Sequence, residues 1–184
     1  MPIAVNLEEI RLCSLSAEDI PIIVQAFTAI GWNKPATIYE NYLQEQEQGA
    51  RDVRVAWYRD CFAGYVTLKW ESDYPPLKAE GVPEIKDLNV LPDYRQQGIG
   101  SLLLNEVEAK AFMKSAVVGL GVGLTADYQD AFRIYIKRGY LPDGRGLYHP
   151  DLEHGSVRYG DRVVVDDDCT LWLTKSKIAD SEAV

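Results

Sequence analysis

The segment Leu88-Asn89-Val90-Leu91-Pro92-Asp93-Tyr94-Arg95-Gln96-Gln97-Gly98-Ile99-Gly100-Ser101-Leu102-Leu103-Leu104 constrains this chain more than any other. It reads as a strand that turns through a glycine-containing loop directly into a helix. A helix beginning there leaves its first N–H groups without intrahelical acceptors, pointing outward. The helix dipole adds roughly half a positive charge at that end. Gly98 and Gly100 keep side chains out of the way of a ligand approaching the backbone. Together these features suit a phosphate or a pyrophosphate. A dinucleotide fingerprint is excluded, because its third glycine position holds Leu103. A P-loop is excluded as well, since no Gly-Lys-Ser/Thr follows at the required spacing.

The rest of the chain reads as one α/β domain over residues 1–184, with its core from about residue 10 to 175. A strand at 10–14 precedes a helix at 20–30, introduced by Ser16-Ala17-Glu18-Asp19 as its capping segment, and a second helix at 37–48. Strands at 53–58 and 61–70 meet at a tight Arg59-Asp60 turn. A polar loop at 71–83 leads to the strand at 84–90, the glycine turn and a helix at about 101–114. A strand at 117–124, a helix at 130–138 and a Leu141–Gly146 turn come next. Late strands at 162–165 and 170–173 flank Asp166-Asp167-Asp168, which reads as a solvated hairpin turn. In the strand at 117–124, Gly119, Gly121 and Gly123 leave one face bare. Either a ligand or a tightly packed helix must fill it.

Composition removes several classes of function. A net charge of −9 argues against nucleic acid and against an anionic membrane surface. No apolar run is long enough to span a bilayer, and the N-terminus lacks a signal-peptide pattern, so a cytoplasmic location is expected. Cys13, Cys61 and Cys169 are scattered and odd in number, which fits neither a zinc site nor a disulfide framework. His149 and His154, with Glu153 between them, are too few for a metal site. No metal is expected.

The turn Arg95-Gln96-Gln97-Gly98-Ile99-Gly100, led in by Val90-Leu91-Pro92, fits the pattern Arg/Gln-x-x-Gly-x-Gly/Ala. It resembles the acetyl-CoA-binding motif of the GNAT superfamily of N-acetyltransferases, and the order of elements is also similar to that family's. The resemblance implies a mixed central β-sheet flanked by helices. It implies an acyltransferase that moves acetyl from acetyl-CoA, bound as co-substrate, to a primary amine by direct attack in a ternary complex. In that family the loop amides hold the pyrophosphate. Arg95, Gln96, Gln97, Gly98, Ile99, Gly100 and Ser101 are therefore expected at the coenzyme. Leu88 and Val90 of the preceding strand should join them, with a backbone N–H near Leu88 as the oxyanion donor.

The segment Ala131-Phe132-Arg133-Ile134-Tyr135-Ile136-Lys137-Arg138-Gly139-Tyr140 resembles the family pattern Ala-x-x-x-Tyr-x-x-x-Gly-Phe/Tyr. It implies that Tyr135 is the general acid that protonates the leaving thiolate. A phenol of pKa ~10 and a thiol of pKa ~8.5 suit that transfer. Tyr128 stands where many members carry an asparagine that contacts the coenzyme. Glu84 opens the motif strand, where several members carry a catalytic glutamate, and is the expected base. Strict alternation groups it with Lys86, Leu88 and Val90 and turns Asp87, the second candidate, the other way. A water chain is the third route for the proton. Trp32, Tyr39, Tyr42 and the Tyr74-Pro75-Pro76 loop are expected at the acceptor, which is a small-molecule amine or a protein amine. Glu71, Asp73 and Glu80 would favour a cationic one. The competing reading is a non-catalytic acyl-CoA-binding sensor or regulatory module. The late strands could serve as homodimer edges.

Overall fold

The computed structural model describes residues 4–177. Its sheet has seven strands: β1 (Ile10–Ser14), β2 (Arg51–Tyr58), β3 (Cys61–Lys69), β4 (Glu84–Val90), β5 (Val117–Gly123), β6 (Leu141–Tyr148) and β7 (Thr170–Ser176). They lie in the order β1-β2-β3-β4-β5-β7-β6. Every neighbouring pair is antiparallel except β4 and β5, which run parallel. The helices are α1 (Asp19–Ala29), α2 (Ala36–Glu47), α3 (Pro75–Glu80), α4 (Ile99–Lys114) and α5 (Gln129–Lys137). Among the described residues no helix is long and apolar enough to cross a membrane.

The central strands β2 and β3 are buried on both faces, which requires a helical layer on each side. On the face carrying Tyr65, α1 and α2 deliver Phe27 and Tyr39 edge-on to its ring, with centroids 6.0 and 5.5 Å away. Each such aromatic contributes about 1.5–3 kcal/mol through burial. On the opposite face lies α4, whose Lys110 pairs with Asp52 and whose Lys114 sits 3.9 Å over the Trp70 ring. The inward stripe of α4 is Ile99, Leu103, Leu104, Val107 and Ala111.

Two departures from a regular sheet occur at β4. The parallel strands β4 and β5 share a single register pair, Glu84 with Gly119. Beyond it they diverge toward the turn that opens α4. Strand β4 is also bulged. Lys86 pairs with Thr67 and Asn89 with Tyr65, so Asp87 and Leu88 together stand opposite one residue of β3. Asp87 has a positive φ of 58°, the left-handed conformation that Asp tolerates better than most side chains. The bulge resets the alternation. Glu84 and Lys86 share the Tyr65 face with Asn89, rather than with Leu88 and Val90.

Three expected segments differ. The polar loop 71–83 contains α3, which two prolines at its first positions pre-organise. The turn expected at 141–146 is the start of β6, a strand whose register slips between Pro142 and Leu147. Residues 162–165 form no strand, so 166–168 is no hairpin turn, whereas the strand expected at 170–173 is the start of β7, beside β5. The bare glycine face is filled by side chains. A Cβ at Gly119 would collide with Leu77, one at Gly121 would lie 3.1 Å from Trp172, and one at Gly123 would lie 2.6 Å from Tyr128.

Candidate active site

The gap between β4 and β5 opens onto the start of α4. Gly98 precedes the helix at φ 89°, a conformation glycine adopts without strain, and supplies no capping side chain. The amides of Ile99, Gly100 and Ser101 in the first turn therefore lack intrahelical acceptors. A Cβ at Gly100 would meet only Val90 at 3.8 Å and Ile134 at 3.9 Å, so the turn is open. Gln96 is held at a positive φ of 59°. The side chains around this turn brace it. The Arg95 Nε donates to the Val90 carbonyl at 2.9 Å. The Gln97 amide donates to the Asp93 carbonyl at 3.2 Å, and its oxygen accepts from the Val5 N–H at 2.8 Å. Leu7 leans over Gly98. An uncapped, positively polarised helix start beside a small residue fits the pyrophosphate of a coenzyme.

On the Tyr65 face of the bulge, Asp87 collects four donors. Lys34 Nζ reaches one carboxylate oxygen at 3.0 Å and Asn89 Nδ2 reaches the same oxygen at 2.7 Å. The Tyr42 hydroxyl reaches the other at 3.0 Å, and the Tyr65 hydroxyl donates to it as well. Burial pushes this carboxyl up, but the Lys34 charge and the hydrogen bonds from Tyr65, Lys34 and Tyr42 outweigh it and hold it below the usual range. With four hydrogen bonds the carboxylate's accepting capacity is filled. Lys34 and Asn89, which complete this cluster, carry no sequence signal of their own. The bulge that turns Asp87 toward them is invisible to an alternation rule.

Tyr135 is buried on α5 and packs against Tyr140 with centroids 5.8 Å apart. Burial raises its hydroxyl well above the ordinary value, and the charge of Asp87 and the nearby Tyr128 add to the effect. Tyr128 covers Gly123 and donates to Asp167 at 2.7 Å, bringing the acidic turn to this end of the sheet.

Glu84 lies three residues back along β4 from Asp87, where the gap begins. It is 3% exposed at the single β4–β5 pair, and one of its oxygens accepts from Ser72 Oγ at 2.8 Å and from the Asp73 N–H at 3.1 Å. Its other oxygen lies 3.6 Å from Lys86 Nζ. The carboxylate braces the 72–74 turn. Of the aromatics expected at the acceptor, Tyr39 is fully buried against Tyr42 and Tyr65. Tyr74 is buried too, stacked 4.1 Å from Trp172 with its hydroxyl on Asp143 at 2.8 Å. Both serve the core. Trp32 keeps an exposed edge, stacked on Phe27 at 5.7 Å with the Arg95 guanidinium 5.4 Å over its ring. The acidic rim expected from Glu71, Asp73 and Glu80 is neutralised. Glu71 pairs with Lys78, Asp73 with Lys69 and Lys86, and Glu80 with Arg145. No group of three or more His, Cys, Asp or Glu is placed to hold a metal ion among the described residues.

This arrangement can be set beside known proteins. The model of the acetyltransferase (GNAT) family matches residues 20–140. The chain belongs to the GNAT acetyltransferase family. No curated protein matches the sequence. Solved structures do share the fold. A ribosomal-protein-alanine N-acetyltransferase from Brucella melitensis is 16% identical, with a TM-score of 0.64 over 91% of this chain and 99% of that one. Arabidopsis thaliana Naa50, in complex with the bisubstrate analogue CoA-Ac-MVNAL, is 18% identical, with a TM-score of 0.61 over 92% and 99%. The spermidine/spermine N-acetyltransferase SpeG from Vibrio cholerae is 14% identical, with a TM-score of 0.62 over 92% and 93%. Two of those proteins are named for different acceptors, a ribosomal-protein alanine and spermidine/spermine, so the shared fold leaves this chain's acceptor undecided.

Proposed function

We propose that this GNAT domain is an N-acetyltransferase that transfers acetyl from acetyl-CoA to a primary amine by direct attack in a ternary complex. The observation that carries the reading is the gap beyond the Glu84–Gly119 pair, which leads to an uncapped helix start where Gly100 faces Ile134, the chain neighbour of Tyr135 on α5. Bound acetyl-CoA supplies the activated acetyl thioester. The amides of residues 96–101 hold its pyrophosphate, and Ser101 adds a hydroxyl. Leu88 and Val90 line the gap, and the Leu88 N–H, at the bulge, is the donor to the carbonyl oxygen under attack. Tyr135 keeps its proton until the thiolate departs, because a buried phenol far from solvent ionises poorly. The acceptor amine enters between Trp32 and the bulge.

Neither nearby carboxylate is free to take the amine's proton. Glu84 is engaged by the 72–74 turn, and Asp87 accepts four hydrogen bonds. In this reading the proton leaves through water, and Glu84 acts only by holding its turn.

The test combines free-thiol release from acetyl-CoA over a panel of amines with calorimetric titration of acetyl-CoA. Tyr135→Phe deletes only the hydroxyl. It should lose about 10²–10⁴ in turnover while binding acetyl-CoA as wild type does. Gly100→Val should fold, given the open space around its Cβ, and should lose acetyl-CoA affinity. Tight acetyl-CoA binding with no thiol release for any amine would favour a non-catalytic sensor. Unaltered affinity in Gly100→Val would move the coenzyme elsewhere.

A further inference from the structure

We propose that Lys34 sets the acceptor's charge class, selecting amines that carry no second cationic group near the reacting nitrogen. The inference rests on the transferase reading above and adds the substrate class to it. It also runs against the expectation from net charge, which favours cations.

The argument begins with what surrounds the bulge. Asp87 stands three residues beyond the last β4–β5 pair, and on its own it would attract an ammonium group. Lys34, from the loop between α1 and α2, has already occupied it. Its Nζ is 3.0 Å from the carboxylate and 3.1 Å from the Tyr65 hydroxyl, and it lies 5.6 Å from the centroids of both the Phe27 and Tyr65 rings. An ammonium held by a carboxylate, a phenol oxygen and two aromatic faces is well satisfied. Both side chains are about one fifth exposed, at 20% and 21%, so they meet solvent at the cleft rather than lying sealed in the core.

The acidic side chains of the loop before β4 are already paired. Asp73 is paired with Lys69 and Lys86, and Arg95 adds a further cation over Trp32. On the far wall Asp167 accepts from Tyr128 and remains exposed to solvent, where screening weakens it. An acceptor bearing a second ammonium would therefore have to displace Lys34 or lie beside it. Placing like charges side by side is a means of rejecting a wrong ligand. A neutral monoamine, or an amine flanked by a carboxylate, meets no such opposition.

The experiment compares matched acceptors of equal length, one with a single amine and one with two. Thiol release is measured in the wild type, Lys34→Gln, Lys34→Arg and the double variant Lys34→Gln/Asp87→Asn. The wild type should favour the monoamine in kcat/KM by about tenfold, mainly through KM, with the gap narrowing as salt rises. Lys34→Gln exposes Asp87 and should reverse the order. Lys34→Arg should keep the wild-type order. The double variant removes both charges and should discriminate least. A wild-type preference for the diamine overturns the proposal even if every variant misfolds. So does an unchanged order in folded Lys34→Gln. Wild-type protein that releases thiol with no amine fails one step earlier, at the transferase reading itself.

Discussion

Glu108 and Asp87 are both carboxylates drawn out of bulk solvent by cations and tyrosine hydroxyls, on opposite faces of one sheet. Glu108 sits on regular helix α4. It takes a two-pronged grip from Arg138 at 2.9 and 2.8 Å, with Lys175 at 2.7 Å and the Tyr140 hydroxyl at 3.0 Å. Two cations, Arg138 just past α5 and Lys175 on β7, outnumber it. Asp87 has one cation, two phenols and an amide, and it stands on a bulge at positive φ beside a cleft. The first cluster ties three elements together. The second holds one strand in an unusual shape where chemistry is proposed. Similar donor sets therefore act as a clamp or as a functional surface, according to the backbone beneath them and the solvent in front of them.

The comparison breaks most clearly at Glu108. Its removal leaves Arg138 and Lys175 without their carboxylate. Glu108→Ala should cost about 3 kcal/mol, the low end for a broken buried pair because both cations retain some solvent contact. Chemical denaturation would read that loss, and the acceptor preference of the folded fraction should be unchanged. A stable variant with altered preference would mean the two faces are coupled. Asp87→Asn should cost somewhat less, about 2 kcal/mol, because the amide oxygen keeps at most two of the four hydrogen bonds while Lys34 keeps the Tyr65 hydroxyl. Its larger signature is kinetic. It leaves Lys34 uncompensated, so anionic amines should gain in KM relative to diamines, the opposite of Lys34→Gln. Equal KM ratios in Asp87→Asn and wild type would reduce Asp87 to a second clamp.

The smallest effect is the dependence on acid. Burial raises the Glu108 carboxyl, but Arg138 and Lys175 overcome it and hold the group below its usual range. Asp87 is lowered likewise, by Lys34 and its phenols against burial. A carboxyl whose folded value lies below its unfolded value stabilises the fold fully above about pH 4 and loses that contribution as pH falls through the folded value. Wild-type thermal stability should therefore fall below about pH 4, and more shallowly in Glu108→Gln. Parallel pH curves would show that Glu108 does not contribute to acid sensitivity.

Much of this molecule is legible in the chain. The run from Leu88 to Leu104 marks the strand, the turn and the helix, because glycine, proline and period carry direct backbone information. What escapes reading is set by tertiary contact. Alternation fails at Asp87, since one extra residue in a strand leaves no compositional trace. Tyr39 and Tyr74 look like recognition residues, and only packing shows that their rings belong to the core. The chain Pro142-Asp143-Gly144 has turn chemistry, yet pairing with β7 draws it into a bulged strand. The glycine strand announces a face that something must fill. Its occupants, Leu77, Trp172 and Tyr128, come from three separate parts of the sequence.

The lone Glu84–Gly119 pair has a mechanical meaning. Strands β1–β4 and the trio β5, β7 and β6 form two rafts moored by one backbone pair, with α4 laid across both like a splint. Sheets resist shear through their ladders, and here the ladder is almost missing along one line. Past the mooring, the facing edges of β4 and β5 hold amides that no strand satisfies. They are where hydrogen exchange should run faster than in the paired stretches of the same two strands, and where a molecule lying along the seam would stiffen the whole by joining what the chain leaves parted.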